Sequence, residues 1–245
     1  MDKSKLDGFI KRYNLNGCVE SVKIVSSEDD NKLKTSFISE EKHILGNVEL
    51  KNENFGDYEM GVLETGKLKQ LLGVLNSEID VDTVTSDDRV ISLGFSDKNT
   101  KVNYMLSDTS VIPKVPIVKQ LPDWDVVLLL NKDFMNRFIK AKNALPDVNT
   151  FTLLMNKKTQ KLDMIIGYAS INSNRIALDI TPEDGKDTVG KPISFAAKYF
   201  KELLSANSEA TDAKLYVSSK GLAYIKFDTE EYVSEYFLTE VEQSD

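Results

Sequence analysis

The stretch NKDFMNRFIKAKNAL, Asn131 to Leu145, decides how the chain is read. Phe134, Phe138, Ala141 and Leu145 recur at the spacing of one helix face, Asn131 stands where an N-cap belongs, and Pro146 ends the run. Off that stripe it carries Lys132, Arg137, Lys140 and Lys142 against the single acid Asp133, in a chain whose formal net charge is −8. The stretch also has an echo. Phe138-Ile139-Lys140 and Asn143 repeat Phe9-Ile10-Lys11 and Asn14 at an offset of 129. Further along, an offset of 132 carries Lys69 to Lys201, Leu71 to Leu203, Leu72 to Leu204, Ser86 to Ser218, Phe95 to Phe227, Tyr104 to Tyr236 and Leu106 to Leu238. One ungapped register running through a helix, a hairpin and a strand predicts a structural duplication.

Each half reads as helix, strands, helix, strands. In the first half the helices are Ser4 to Asn14, with Leu6, Phe9, Ile10 and Tyr13 on one face, and Thr65 to Asn76, with Leu68, Leu71, Leu72 and Leu75 inward and Thr65 as N-cap. In the second half they are the opening stretch and Phe195 to Asn207, with Phe200, Leu203 and Leu204 inward. Alternation predicts strands at ISLGF, KVNYML, TFTLLM, LDMIIGYA, RIALDI, KLYVSS, AYIKF and YVSEYFL, and VVLLL (Val126 to Leu130) suits a buried strand. The turn signals SDDR, SDKN, NKKTQK, NSN and SKG separate them. The expected class is α+β: two similar domains, each with two helices packed on antiparallel sheets. The domains are expected at 1–107 and 125–245, joined by a connector at 108–124. The segment Ser107 to Asp125 holds three of the six prolines, yet also Val111, Ile112, Val115, Ile117, Val118 and Leu121. An inert spacer needs no such apolar surface, so the segment is expected to form one wall of a groove.

Composition narrows the function. With 41% hydrophobic, 29% charged and 9% aromatic residues, the 245-residue chain has a globular mixture. No apolar run approaches the roughly 20 residues that span a bilayer, and the first residues lack the apolar core of a signal peptide. A cytoplasmic protein without a membrane role is expected. Cys18 is the only cysteine and His43 the only histidine. That excludes an intrachain disulfide and a histidine-built zinc site, and leaves no cofactor or metal to expect.

The distribution of charge says more than its total. The first helix has Lys3, Lys5, Lys11 and Arg12 against Asp2 and Asp7, the second has Lys67 and Lys69 alone, the third is the opening stretch, and the fourth has Lys198 and Lys201 against Glu202. These give +2, +2, +3 and +1, a total of +8, and leave −16 for the remainder of a chain that totals −8. Counting Glu64 with the second helix lowers the helix total only to +7. Arg137 with Lys140, and Lys198 with Lys201, share helix faces at i,i+3 spacing. The helices are therefore expected to bury one side on a sheet and to turn a cationic side toward a polyanion. Lys and Arg on rigid helices neutralise phosphates without reading bases, and no zinc-finger, helix-turn-helix or ribonucleoprotein pattern is present.

With these residues in view the chain resembles the DNA sliding clamps. The likenesses lie at HILGNVEL (His43 to Leu50), YEMGVLETGKLKQLL (Tyr58 to Leu72), SFAAKYFKELLSA (Ser194 to Ala206) and EYFLTE (Glu235 to Glu240), and the chain ends in YFLTEVEQSD. They look like the proliferating cell nuclear antigen family, and the short chain and compact connector look closer still to the trimeric processivity clamps of tailed phages. The resemblance implies a non-enzymatic homotrimeric ring around double-stranded DNA that tethers a DNA polymerase and is served by a clamp loader. Twelve helices packed at about 8–10 Å would enclose a hole of roughly 25 Å once about 10 Å of helix thickness is removed. Carried over by position, the resemblance implies DNA-facing roles for Lys5, Lys11, Arg12, Lys67, Lys69, Arg137, Lys140, Lys142, Lys198 and Lys201. It implies a partner-peptide groove formed by His43, Ile44, Leu45, Ile112, Val115, Pro116, Ile117, Val118, Leu238 and Thr239. Subunit contacts are expected at sheet edges, with Lys101 to Leu106 as one candidate.

Two other readings compete. A metal-dependent nuclease would draw on Glu28-Asp29-Asp30, Asp87-Asp88, Asp123 with Asp125, or Glu183-Asp184, most of which sit in predicted turns, and GKLK at Gly66 lacks the spacing of a phosphate-binding loop. A peptide-binding scaffold that never touches DNA is the alternative of a different class.

Overall fold

The computed structural model describes residues 1–87, 89–156, 161–168, 174–180, 182–183 and 189–242. The predicted turn NKKTQK, parts of NSN and LDMIIGYA, Asp88, Asp184 and the last three residues lie wholly or partly outside that set.

The duplication is carried element by element. Helix α1 (Lys3–Asn14) has its counterpart in α3 (Lys132–Ala144), displaced by 129 at its start. Strands β1 (Val22–Ser27), β2 (Lys32–Ile38) and β3 (Ile44–Lys51) correspond to β9 (Thr150–Asn156), β10 (Lys161–Ile166) and β11 (Ile176–Asp179). After β4 (Tyr58–Val62) and β12 (Ile193–Ala196) the displacement becomes 132. It relates α2 (Thr65–Leu72) to α4 (Ala197–Ala206) and β5 (Asp80–Ser86) to β13 (Asp212–Ser218). It also relates β6 (Arg89–Ser96) to β14 (Leu222–Asp228) and β7 (Lys101–Met105) to β15 (Tyr232–Thr239). Strand β8 (Val126–Asn131) precedes α3 and pairs antiparallel with β13.

The chain divides into two compact units. The first comprises Met1–Ser39, Gly46–Pro116 and Asp228–Ser234, and the second Glu40–Leu45, Ile117–Phe227 and Glu235–Asp245. The chain passes between the units several times, once between Pro116 and Ile117, so they are not the two contiguous segments that were expected.

In the first unit β4-β1-β2-β3 run side by side, β5-β6-β7 form a three-stranded antiparallel sheet, and α1 packs against α2 and β2. Strand alternation places Val22, Ile24, Leu33, Phe37, Val48 and Leu50 inward, against Leu6, Phe9, Ile10 and Tyr13 of α1. Strands β1 to β5 were not among the predicted ones. In β1 and β2 the buried residues alternate with positions that include Lys23, Ser27, Lys32, Lys34 and Ser36, and no residue of β5 is buried, so the apolar signal of these strands is diluted. Helix α2 ends at Leu72, not at Asn76. From there the chain continues in tighter turns, with the Val74 N–H bonded to the Leu71 carbonyl (3.3 Å) and that of Leu75 to Leu72 (3.1 Å). Asp97 then captures the Asn76 N–H at 2.8 Å.

In the second unit β11-β10-β9-β12 form one sheet, β8, β13, β14 and β15 lie together, and α3 packs on α4. Phe138, Phe151, Phe195 and Phe200 make its centre; the Phe138 and Phe200 rings meet edge-on with centroids 4.7 Å apart. Asn131 caps α3 as expected, its Oδ1 accepting from the Phe134 N–H at 2.8 Å.

Candidate nucleic-acid interface and partner groove

Burial of the apolar stripes decides which helix cations face solvent. Lys11, Lys67, Lys69, Arg137, Lys140 and Lys198 are exposed. Arg137 is held by Asp133 one turn earlier at 3.0 Å, an exposed pair of small energetic weight. Lys69 leans toward the α1 C-terminus, its Nζ 3.4 Å from Asn14 Oδ1. Lys5 and Lys201 are half-buried and already matched, Lys5 by Glu53 at 2.8 Å and Lys201 by Glu202 at 2.7 Å. The Glu53 bond raises the Lys5 pKa above its ordinary value.

Two of the expected cations do not present themselves to a ligand. Arg12 is 3% exposed; its guanidinium lies 3.6 Å from the centre of the Tyr232 ring and donates to the Gly8 carbonyl at 2.8 Å. Lys142 is 8% exposed and folds back to donate to the carbonyls of Leu145 (3.2 Å) and Pro146 (2.9 Å), closing the end of α3. Burial, and then the neighbouring charge of Lys201, lower the Lys142 pKa. Helical spacing had marked both as polar, but each long side chain has an acceptor or ring within reach that spacing does not show.

Helix α2 is placed from outside. Glu64, at its N-cap, makes no side-chain cap, and Thr65 is not the cap but the first helical residue. The Thr65 N–H and Oγ1 both donate to the Glu20 carbonyl, at 3.0 and 2.8 Å. The Glu20 carboxylate accepts from the Gly66 N–H at 2.7 Å and from Asn14 Nδ2 at 3.2 Å. A carboxylate at a helix N-terminus is favoured by the helix dipole, so Glu20 sets the start of the helix that carries Lys67 and Lys69.

The expected groove residues separate. Ile44 and Leu238 are fully buried: each stands on the inward side of its strand, so they belong to the core and line no groove. His43 and Leu45 are half-buried. The His43 ring meets Tyr199 edge-on at 6.5 Å, its carbonyl accepts from the Thr239 N–H at 3.1 Å, and the exposed Thr239 hydroxyl donates to Lys42 O at 3.1 Å. Tyr199 also donates to the Glu41 carboxylate. Pro116, Ile117 and Val118 are exposed, Ile117 to 84%.

Ile112 and Val115 do line a cleft, of 1040 Å³, in the first unit. Its floor is the outward face of β1 and β2, where Val25 stands opposite Lys34, and its roof is the chain from Ser107 to Val115. Gly61 makes the roof possible. The Ser107 N–H bonds to its carbonyl at 2.9 Å, and a Cβ on Gly61 would collide with the Ser107 carbonyl. Asp108 then caps the short 3-10 turn Thr109–Val111 through the Ser110 N–H (2.8 Å) and pairs with Arg89 (2.9 Å); the bond to Ser110, with Arg89 adding to it, lowers its pKa. Lys23, Val25, Lys34, Tyr58, Arg89 and Ile91 line this cleft and were missed by sequence reasoning. The outward positions of VKIVSS and KLKTSFI could have flagged the first three had those strands been recognised.

No protein-family model matches the chain, and no curated protein matches it in sequence. Its fold does match solved structures. Proliferating cellular nuclear antigen from Entamoeba histolytica superimposes with a TM-score of 0.73 at 16% identity, covering 98% of this chain and 96% of that one. The A. fulgidus proliferating cell nuclear antigen, solved with the C-terminal region of FEN-1 bound, gives 0.73 at 13% identity, covering 100% and 98%. The fold is that of a DNA sliding clamp. At these identities the likeness concerns architecture, and the clamp fold extends over the whole chain with both repeats matched.

Proposed function

We propose that the chain is a sliding clamp that closes around duplex DNA as a homotrimeric ring and tethers the replicative DNA polymerase, with no catalysis of its own. One observation carries the reading: in a clamp fold, exposed cations recur on the helices of both repeats, Lys11, Lys67 and Lys69 in the first and Lys132, Arg137, Lys140 and Lys198 in the second. In this reading 1–107 and 125–245 are the clamp domains and 108–124 the connector. A clamp loader places the ring, partner peptides dock along the connector, and the protein works in the cytoplasm.

Ring closure needs a heterologous contact that repeats head to tail. Among the described residues β7 pairs only with β6, and β11 only with β10, so each offers an open edge. Adding β7 of one copy to β11 of the next would close the ring by main-chain hydrogen bonds. Affinity for DNA can then stay low, because topology retains the ring, while each phosphate neutralised adds about 0.9 to the salt slope.

The test is reversal of Lys11, Lys67, Lys140 and Lys198 to Glu. The expected result is an unchanged trimer mass, loss of loading on DNA and loss of polymerase processivity. A peptide-binding scaffold predicts little change in either. A chain that stays monomeric at working concentration, alone and with circular DNA, overturns the clamp reading.

A further inference from the structure

The cleft beneath Ser107–Val115 differs in chemistry from the acidic remainder of the chain. Its lining carries the cations Lys23, Lys34, Arg89 and Lys114 against the acids Asp57, Glu59 and Asp108, in a protein of net charge −8. Asp57 is already engaged, its Oδ1 accepting from the Glu28 N–H at 2.8 Å. Three of the cations hold exposed acids: Lys23 with Glu59 at 2.9 Å, Lys34 with Asp30 at 2.7 Å and Arg89 with Asp108 at 2.9 Å. Solvent-exposed pairs of this kind contribute little and exchange carboxylates readily. Lys114, exposed on the roof, has no ion pair among the described residues. Between the cations lie half-buried Val25 and Val115 and exposed Ile91, an apolar strip with charge on both sides.

We infer that this cleft takes a short acidic segment of a partner protein. The segment's carboxylates displace Glu59 and Asp108 from Lys23 and Arg89 and engage Lys114, and a bulky apolar side chain between them rests on Val25 and Ile91. A nucleic-acid backbone fits less well, because it has no use for the apolar strip of Val25, Ile91 and Val115, whereas a peptide can set an apolar side chain on it. The volume, 1040 Å³, accommodates several residues of extended chain. The inference deepens the clamp reading and rests on it for the identity of the partner as a tethered protein. It concerns the first half of the connector, whereas Ile117 and Val118 on the second half offer only apolar surface.

The probe is a fluorescein-labelled peptide of alternating Glu and Leu, compared by anisotropy with the same peptide in which Gln replaces Glu. On the full-length protein the acidic peptide is expected to bind about tenfold tighter than the Gln peptide, with the difference shrinking as salt rises. Arg89→Glu combined with Lys114→Glu is expected to abolish that preference, while Ile117→Ser leaves it intact. If the double variant melts early, Lys114→Glu alone carries the measurement, since that side chain has no ion pair to lose. Equal binding of the two peptides, or a preference that survives both variants, overturns the inference. So does an oligothymidylate that binds in place of the acidic peptide with the same sensitivity to Arg89 and Lys114. DNA loading by these same variants separates the two proposals: loading retained without a peptide preference sinks the acidic cleft alone, and loading absent from the unmodified protein sinks the clamp reading.

Discussion

Phe9 and Phe138 occupy the same position in the two repeats, and their surroundings differ. Around Phe138 the equivalent core places hold Phe151 and Phe200, with ring centroids 5.4 and 4.7 Å away. Around Phe9 those places hold Val22 and Leu68, and among the described residues the ring contact shown is Tyr13 at 5.5 Å. Tyr13 in turn lies 3.4 Å from the Thr65 hydroxyl, where the second repeat has Ala197. One backbone plan thus tolerates an aromatic core in one repeat and an aliphatic core with a polar contact in the other. What has to be kept is the periodicity and the total volume.

The comparison can be broken most directly in the cores. Phe138→Ala is expected to cost about 3–5 kcal/mol in urea unfolding. Phe138→Leu should cost about 0.5–1.5 kcal/mol more than Phe9→Leu, the increment that aromatic pairs add to burial. Equal losses for the two Leu variants would show that the ring geometry contributes nothing.

The next effect compares two adjacent cations. Arg12→Ala removes a desolvated cation over Tyr232 and should lower stability by about 2 kcal/mol, with little effect on DNA. Lys11→Ala should leave the melting curve in place and reduce the salt slope of DNA binding by roughly one. The reverse pattern would return Arg12 to the DNA-facing set.

A smaller effect compares the starts of α2 and α4. The Thr65 N–H bonds to Glu20 O at 3.0 Å and the Ala197 N–H to Asn149 O at 2.8 Å, the same contact in both repeats. Only the first repeat adds a carboxylate, on the Gly66 N–H. Glu20→Ala should therefore cost about 1 kcal/mol, measured by thermal melting, and Asn149→Ala close to nothing.

The smallest concerns pH. The turn after β6 is closed by Asp97, which accepts from the N–H groups of Asn76, Asn99 and Thr100; the equivalent turn after β14 is closed by the Thr229 hydroxyl. The Asn76 N–H, followed by that of Asn99, holds the Asp97 pKa at about 2, down from 3.8. A depressed carboxyl stabilises the fold above pH 3.8 and loses that contribution as pH falls through about 2. Unmodified protein should thus forfeit, between those two values, an advantage over Asp97→Asn that it holds at neutrality. Thr229→Ala should show the same deficit at every pH in that window.

Much of this architecture is legible in the residues themselves. The helix stripes, the Asn131 cap and the two offsets are local or repeating patterns, so they survive without knowledge of the fold. The first-half strands were obscured because their outward positions carry Lys, Ser and Thr that weaken an alternation signal. Among site residues, Lys11, Lys67, Lys69, Arg137, Lys140 and Lys198 stand exposed as their helix positions suggest, whereas Arg12 and Lys142 had to be corrected. Ile44 and Leu238 were assigned to a groove from resemblance, and strand alternation turned both inward.

By itself the amino-acid order determined the duplicated plan and the gathering of positive charge on helices, because both depend on spacing along the chain. Only the tertiary structure decided that Arg12 is spent on Tyr232, that Glu20 starts α2, and that Lys23, Lys34 and Arg89 meet Ile112 around one cleft. Those outcomes depend on segments far apart in the chain coming within about 3–4 Å, the range over which hydrogen bonds and ion pairs act.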